Sequence, residues 1–260
     1  MSKYSDVLKA KERYTEELTE YVNKLRTKTT DEQLSVYAAT REIDISAVKK
    51  FQMFYIGSPA EMLLPNYIDR VVDFGVISST NNKPIFSDRY IIPILDTSGK
   101  VLNLVGYKKD ADERYIYGTS KYYMRTDTLY GLENLELAYK MGYGILTEGI
   151  TDAQRIRSLG YPNCFAMCGT HSSDYITAQL SRLKYGIIRI PDRDKAGLRA
   201  LKGWKHRRTI TVYVSYGNKD ADQMLRTEKN IELFRYYMEA CKKELLATSL
   251  TSIAKEVTII

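Results

Sequence analysis

Residues 143–152 read Tyr143-Gly144-Ile145-Leu146-Thr147-Glu148-Gly149-Ile150-Thr151-Asp152, and residues 185–197 read Tyr185-Gly186-Ile187-Ile188-Arg189-Ile190-Pro191-Asp192-Arg193-Asp194-Lys195-Ala196-Gly197. In both, a short run rich in apolar and β-branched residues stops at an acid, and a glycine precedes a helical pattern. Short, continuously apolar runs of this kind read as strands buried on both faces. Cys164-Phe165-Ala166-Met167, ending at Gly169-Thr170, is a third such strand, and Thr209 to Val214, followed by Asp220 and Asp222, is a fourth. Helical patterns over 152–159, 174–183 and 196–204 separate them. Strand and helix alternating in this way predict an α/β fold, Rossmann-like, with a mostly parallel sheet and flanking helices. The C-terminal ends of parallel strands share one rim, which is where ligands bind in such sheets.

The acids follow that logic. Glu148, Asp192, Asp194, Asp220 and Asp222 come after three of the strands, so five carboxylates are expected on one rim. They would repel one another unless cations neutralised them. Oxygen donors suit Mg2+ or Mn2+, which keep waters and bind substrate phosphates. Two such ions can activate an attacking hydroxyl and stabilise a departing pyrophosphate. Gly149 after Glu148 permits close approach, and Gly197 after Asp194 permits tight packing at a helix start. Asp152 reads equally as a member of the site or as an acid complementing a helix N-terminus.

Working outward, residues 1–35 place Val7, Leu8, Tyr14, Leu18, Tyr21, Val22 and Leu25 at helical spacing, and Thr30-Asp31-Glu32 looks like a helix start. Residues 44–73 read as mostly helical, broken at Gly57-Ser58-Pro59 and Pro65. Tyr90 to Leu95 and Val101 to Val105 flank the turn-forming Asp96-Thr97-Ser98-Gly99-Lys100, which predicts a hairpin. Leu132 to Met141 is a short helix, and the tail after 229 is one helix with a frayed end. The expected organisation is a helical segment (1–36), a smaller α+β basic subdomain (37–139), an α/β catalytic domain (140–225) and a helical tail (226–260).

The chain of 260 residues carries a net charge of +7, and residues 37–222 hold nearly all the excess, with 26 lysines and arginines against 20 acids. An acidic cluster inside a basic field suits chemistry on phosphates. Three cysteines, Cys164, Cys168 and Cys241, and two histidines, His171 and His206, offer neither a disulfide framework nor enough ligands for a zinc ribbon, so no zinc is expected. No apolar run approaches the length of a membrane span and no secretory leader is visible, so a cytoplasmic protein with no membrane partner is expected.

Three of these segments, 146–152, 166–170 and 191–197, resemble the successive signatures of a TOPRIM domain, and Asp220-Ala221-Asp222-Gln223 resembles its later Asp-Pro-Asp segment. Upstream, Phe86 to Ile94, Leu129-Tyr130-Gly131-Leu132, Thr40 to Ile43 and Phe51 to Pro59 are similar to segments of DnaG-type DNA primases, so the likeness runs from about 37 to 232. The resemblance implies a nucleotidyltransferase, a DNA-directed RNA polymerase of the primase type. It would copy single-stranded DNA into RNA primers from ribonucleoside triphosphates. Glu148, Asp192 and Asp194 would be catalytic and hold metal with Asp220 and Asp222, and Gly149, Asp152, Gly169, Thr170 and Gly197 would support them. Arg89, Arg114, Arg125 and Lys195 would bind nucleic acid or nucleotide, and Tyr115, Tyr117, Tyr122 and Tyr123 would be available for stacking on bases. The chain departs from the family pattern at Glu42, where Arg-Gly-Leu has glycine, and in the region of Leu104-Val105-Gly106-Tyr107, which lacks the family's Gly-Gly-Arg. Neither a zinc ribbon nor a helicase-binding domain is visible, which suggests phage or mobile-element origin, with a replicative helicase or a separate zinc-binding protein as partners. A TOPRIM nuclease and a non-catalytic replisome adaptor are the alternatives.

Overall fold

The computed structural model describes residues 3–168, 173–194, 208–215, 217–247 and 253–259. Gly169, Thr170, Lys195, Gly197, the two histidines and the helix expected over 196–204 lie outside them. The chain divides into two compact units, Met1–Met124 and Arg125–Ile260.

In the first unit, α1 (Lys3–Arg26) lies against an antiparallel sheet ordered β1 (Phe54–Ile56), β2 (Arg89–Leu95), β3 (Val101–Tyr107), β4 (Tyr115–Tyr117). Tyr14, Leu18, Tyr21, Val22 and Leu25 recur every three or four residues, so they form one stripe. All are buried in one cluster with Phe54, Ile56, Ile91 and Leu104. The leading helix therefore shares the core of the sheet. Helix α2 (Asp31–Arg41) starts at Thr30, whose hydroxyl accepts from the Gln33 amide while the Gln33 side chain accepts from the Thr30 amide. This reciprocal cap satisfies two amides that the first helical turn leaves without partners. The helix stops at Glu42 in the left-handed conformation (φ 52), the conformation for which helix ends prefer glycine.

The hairpin between β2 and β3 forms as expected, its turn tied by Asp96, whose carboxylate accepts from the Ser98 and Lys100 amides. The mostly helical reading of 44–73 is corrected. After α3 (Ile45–Lys50) the chain forms strand β1, paired antiparallel with β2 as Phe54 opposite Ile91 and Ile56 opposite Arg89. Three residues carry too little periodicity to declare a strand, and its partner lies more than 30 residues further along the chain.

The second unit holds a six-stranded sheet ordered β10 (Ile253–Thr258), β9 (Arg208–Tyr213), β8 (Gly186–Ile190), β6 (Tyr143–Thr147), β7 (Cys164–Met167), β5 (Leu129–Tyr130). Every pairing is parallel except that of β5 with β7. Crossovers are made by α5 (Ile150–Ser158) and α6 (Asp174–Ser181), with α4 (Leu135–Met141) leading into β6. Strands β6 and β7 are buried along their whole length, as helices on both faces require. The boundary expected at 140 falls inside this unit, because Leu129 and Tyr130 pair with Met167 and Ala166. The tail is also corrected. Its helix, Glu228–Ala247, is followed by β10, which extends the sheet in parallel register with β9 and ends at buried Ile259. A β-branched run without an adjacent hairpin partner reads as frayed until the crossover brings it to an edge. Among the described residues, no helix is long and apolar enough to cross a membrane.

Candidate active site

Sequence order and sheet order part company at β6. The chain goes from β6 to β7 on one side, then returns to β8 on the other. Loops leaving β6 and β8 therefore diverge, and the crevice between their C-terminal ends is the place where open α/β sheets bind ligands. Thr147 is paired with Ile190 at this edge, so Glu148 and Asp192 are brought beside each other. The Asp192 amide donates to Glu148 Oε1 at 3.3 Å.

Burial and mutual repulsion act on these groups together. Glu148 is half-buried, and desolvation, then the charges of Asp192 and Asp194, push its carboxyl up to about 7. Asp192 is pushed up to about 6 by burial and by Asp220 and Asp194, with Lys219 opposing. Asp194 is exposed.

Asp152, ambiguous in sequence, lies on the rim. It is only 4% exposed, and burial with the charges of Asp220 and Asp192 raises its carboxyl well above the usual carboxylate range. Gly149 makes room for it, since a Cβ there would collide with Asp152 Oδ2. Any larger residue at 149 would force that carboxylate to move.

Asp220 and Asp222 sit further along the loop after β9. Asp220 caps the short helix Ala221–Met224 by accepting from the Gln223 amide at 2.8 Å. Asp222 is buried, and its amide donates to Asp152 Oδ1 at 2.7 Å. Its carboxylate is paired with buried Arg155 at 3.3 Å and with Arg226 at 2.9 Å. Two guanidiniums thus neutralise Asp222, and its oxygens are directed into the protein. Arg226 is only four residues further along the chain, whereas Arg155 comes from α5, 67 residues away, and the spacing Asp-x-Asp held no sign of it. Among the described residues, no three of His, Cys, Asp or Glu are drawn close enough together to hold a metal ion as they stand.

The cations expected to bind nucleic acid separate clearly. Arg114 and Arg125 are exposed. Arg125 belongs to the second unit, and its Nε donates to the carbonyl of Cys168, just past the end of β7, at 2.8 Å. Arg89 is buried, with its guanidinium donating to the Arg114 carbonyl at 3.3 Å. Buried Arg89 serves the first unit's own backbone. Cys164, Cys168 and Cys241 are buried and free, and burial pushes the Cys168 thiol up to about 11.

With this geometry in place, likeness to known proteins is informative. Residues 20–136 match the family model described as the DNA primase catalytic core, N-terminal domain. The DNA primase of Aquifex aeolicus is 29% identical over 184 residues, covering 65% of this chain and 36% of that protein. That of Thermotoga maritima is 25% identical over 190 residues, covering 66% and 34%. The chain therefore spans about a third of the length of these relatives. Among solved structures, the zinc-binding and RNA polymerase domains of the Aquifex aeolicus primase superpose with a TM-score of 0.73 at 24% identity, covering 87% of this chain and 61% of that one. A DnaG primase catalytic domain bound to single-stranded DNA gives 0.73 at 20% identity, covering 88% and 80%. Fold and rim define an α/β protein with a carboxylate-lined crevice at the switch point of its parallel sheet. In sequence and in fold, the chain is similar to the DnaG-type primase core.

Proposed function

We propose that this chain joins ribonucleoside triphosphates into short RNA primers on a single-stranded DNA template. The observation that carries the reading is the pairing of Glu148 with Asp192 at the sheet's switch point, where burial and repulsion raise both carboxyls. The likeness to DNA primases supplies the reaction class. In this reading the second unit is a TOPRIM domain, residues 37–139 guide template and nucleotide, and the enzyme is a nucleotidyltransferase of the DNA-directed RNA polymerase kind.

The donors at the rim are all carboxylate oxygens with excess negative charge, the set that suits Mg2+ or Mn2+. Bound there, the ions would neutralise the rim and align the attacking hydroxyl with the departing pyrophosphate. Glu148, Asp192 and Asp194 would hold them, and exposed Asp194 is the ligand able to turn inward. Asp220 adds negative charge beside Asp192 and Asp152. Asp222, clasped by Arg155 and Arg226, acts as a positioning residue through its amide on Asp152. Glu148, at the centre of the rim beside Asp192, is placed to accept the proton of the primer 3′-hydroxyl. Arg114 and Arg125 would hold phosphate, with a replicative helicase or a separate zinc-binding protein as further partners.

The test is incubation of the protein with labelled single-stranded DNA, ribonucleotides and Mg2+. Primers are expected from the native chain and none from Asp192→Ala, whose circular dichroism should match. Undiminished synthesis by that variant, cleavage of the DNA, or retention without synthesis each overturns the reading.

A further inference from the structure

Any one of the 22 tyrosines in this chain is uninformative, but four of them stand in a row. On the antiparallel sheet of the first unit, Tyr55 is directly opposite Tyr90, Tyr90 opposite Tyr107, and Tyr107 opposite Tyr115. Directly opposed residues project from the same face, so one tyrosine from each of the four strands lines a continuous band. Ring centroids are 5.2 Å apart for Tyr55–Tyr90 and 5.2 Å for Tyr107–Tyr115. Tyr37 of α2 packs on the middle of the band, 4.9 Å from Tyr90 and 5.7 Å from Tyr107. Tyr37 and Tyr107 are fully buried, whereas Tyr55 and Tyr90 remain half-exposed.

The half-exposed rings line a pocket of about 440 Å³ between α2 and the sheet, bordered by Val36, Asp88 and Lys109. Asp88 holds a left-handed backbone (φ 48), and its carboxylate accepts from the Tyr55 hydroxyl and from Lys108. A carboxylate offers about four acceptor positions, so two remain for a ligand. The charged side chains around the pocket are Asp88, Asp110, Lys108 and Lys109, which cancel. A pocket that is neutral, aromatic-floored and edged by an acceptor suits a flat heterocycle with amino or imino hydrogens better than a polyphosphate.

We propose that the pocket is a nucleobase-stacking subsite, in which Tyr55 and Tyr90 support one base and Asp88 accepts hydrogen bonds from its edge. The base comes either from single-stranded DNA or from a free nucleotide. The subsite rests on the reading of nucleic acid as this chain's substrate, but it requires no chemistry at the carboxylate rim.

The probes are 2-aminopurine riboside triphosphate and a single-stranded DNA dodecamer with one 2-aminopurine, each titrated with the full chain in EDTA. Stacking quenches the fluorescence. Quenching of the oligomer alone assigns the subsite to template, of the triphosphate alone to nucleotide, and of both to either source. Tyr55→Val, well suited to an edge strand, should weaken binding roughly 5- to 150-fold, the range for losing one stacked ring. Tyr55→Phe should retain it. Asp88→Asn, which tolerates the left-handed backbone, should weaken it less. Absence of quenching with both probes, or unchanged affinity in folded Tyr55→Val, overturns the proposal. Primer synthesis measured separately shows whether the primase reading survives such a result.

Discussion

Neutralising two carboxylates that look alike in sequence should move stability in opposite directions. Asp192 is raised from 3.8 to about 6, so its ionised form is worse accommodated in the folded state than in the unfolded one. A tenfold change in a proton-binding constant corresponds to about 1.4 kcal/mol. The penalty on ionised Asp192 is then about 3 kcal/mol at pH 8, and solvent screening of a partly exposed group reduces it to about 1 to 2 kcal/mol. Asp192→Asn removes that cost and should stabilise the metal-free protein by this amount. Since folding raises the pKa, the cost is complete above pH 6 and fades as pH falls toward the unfolded value, so the gain should shrink to about half at pH 5. Asp222→Asn does the reverse, because it removes the carboxylate that pairs with Arg155, which is only 4% exposed. Losing one member of a buried pair costs about 3 kcal/mol. Urea unfolding in EDTA, followed by far-ultraviolet circular dichroism, measures both changes. A lower midpoint for Asp192→Asn at pH 8, or a gain that does not decline at pH 5, would refute the picture of a repulsive rim.

Mg2+ should raise the melting temperature of the native chain and leave that of Asp192→Asn nearly unmoved. At ten times its Kd a ligand contributes about 1.4 kcal/mol, which differential scanning fluorimetry resolves. Arg114→Ala should weaken binding of single-stranded DNA without changing stability, whereas Arg89→Ala should cost about 2 kcal/mol through lost burial and its backbone hydrogen bond. Paired binding and melting curves separate the two. Glu42→Gly should stabilise the first unit by about 1 kcal/mol, because glycine adopts the left-handed helix end without the steric penalty. Chemical denaturation of that unit checks it.

Much of the second unit was legible in the sequence alone. Strands 143–147, 164–167 and 186–190 are predominantly apolar, and a parallel sheet buried on both faces demands that pattern irrespective of what surrounds it. Thr30 and the α1 stripe were equally legible, since capping and amphipathic spacing act within a few residues. Carboxylates placed after strands were visible for the same reason, because strand direction assigns them to one rim.

What the sequence could not determine depended on neighbours in space, most of them distant along the chain. Strand β1 exists because β2 offers it an edge, and β10 because a crossover returns it to β9. Asp152 became a rim acid through the room that Gly149 leaves and the amide of Asp222, and Asp222 became an ion-paired support through Arg155 and Arg226. Arg89 turned inward, and the tyrosines became a row only once four strands came into register. Local pattern states which residues are apolar, acidic or helical. Only tertiary packing decides which of several like charges is desolvated, which is neutralised and which faces a ligand, because those energies depend on neighbours within a few ångströms in space.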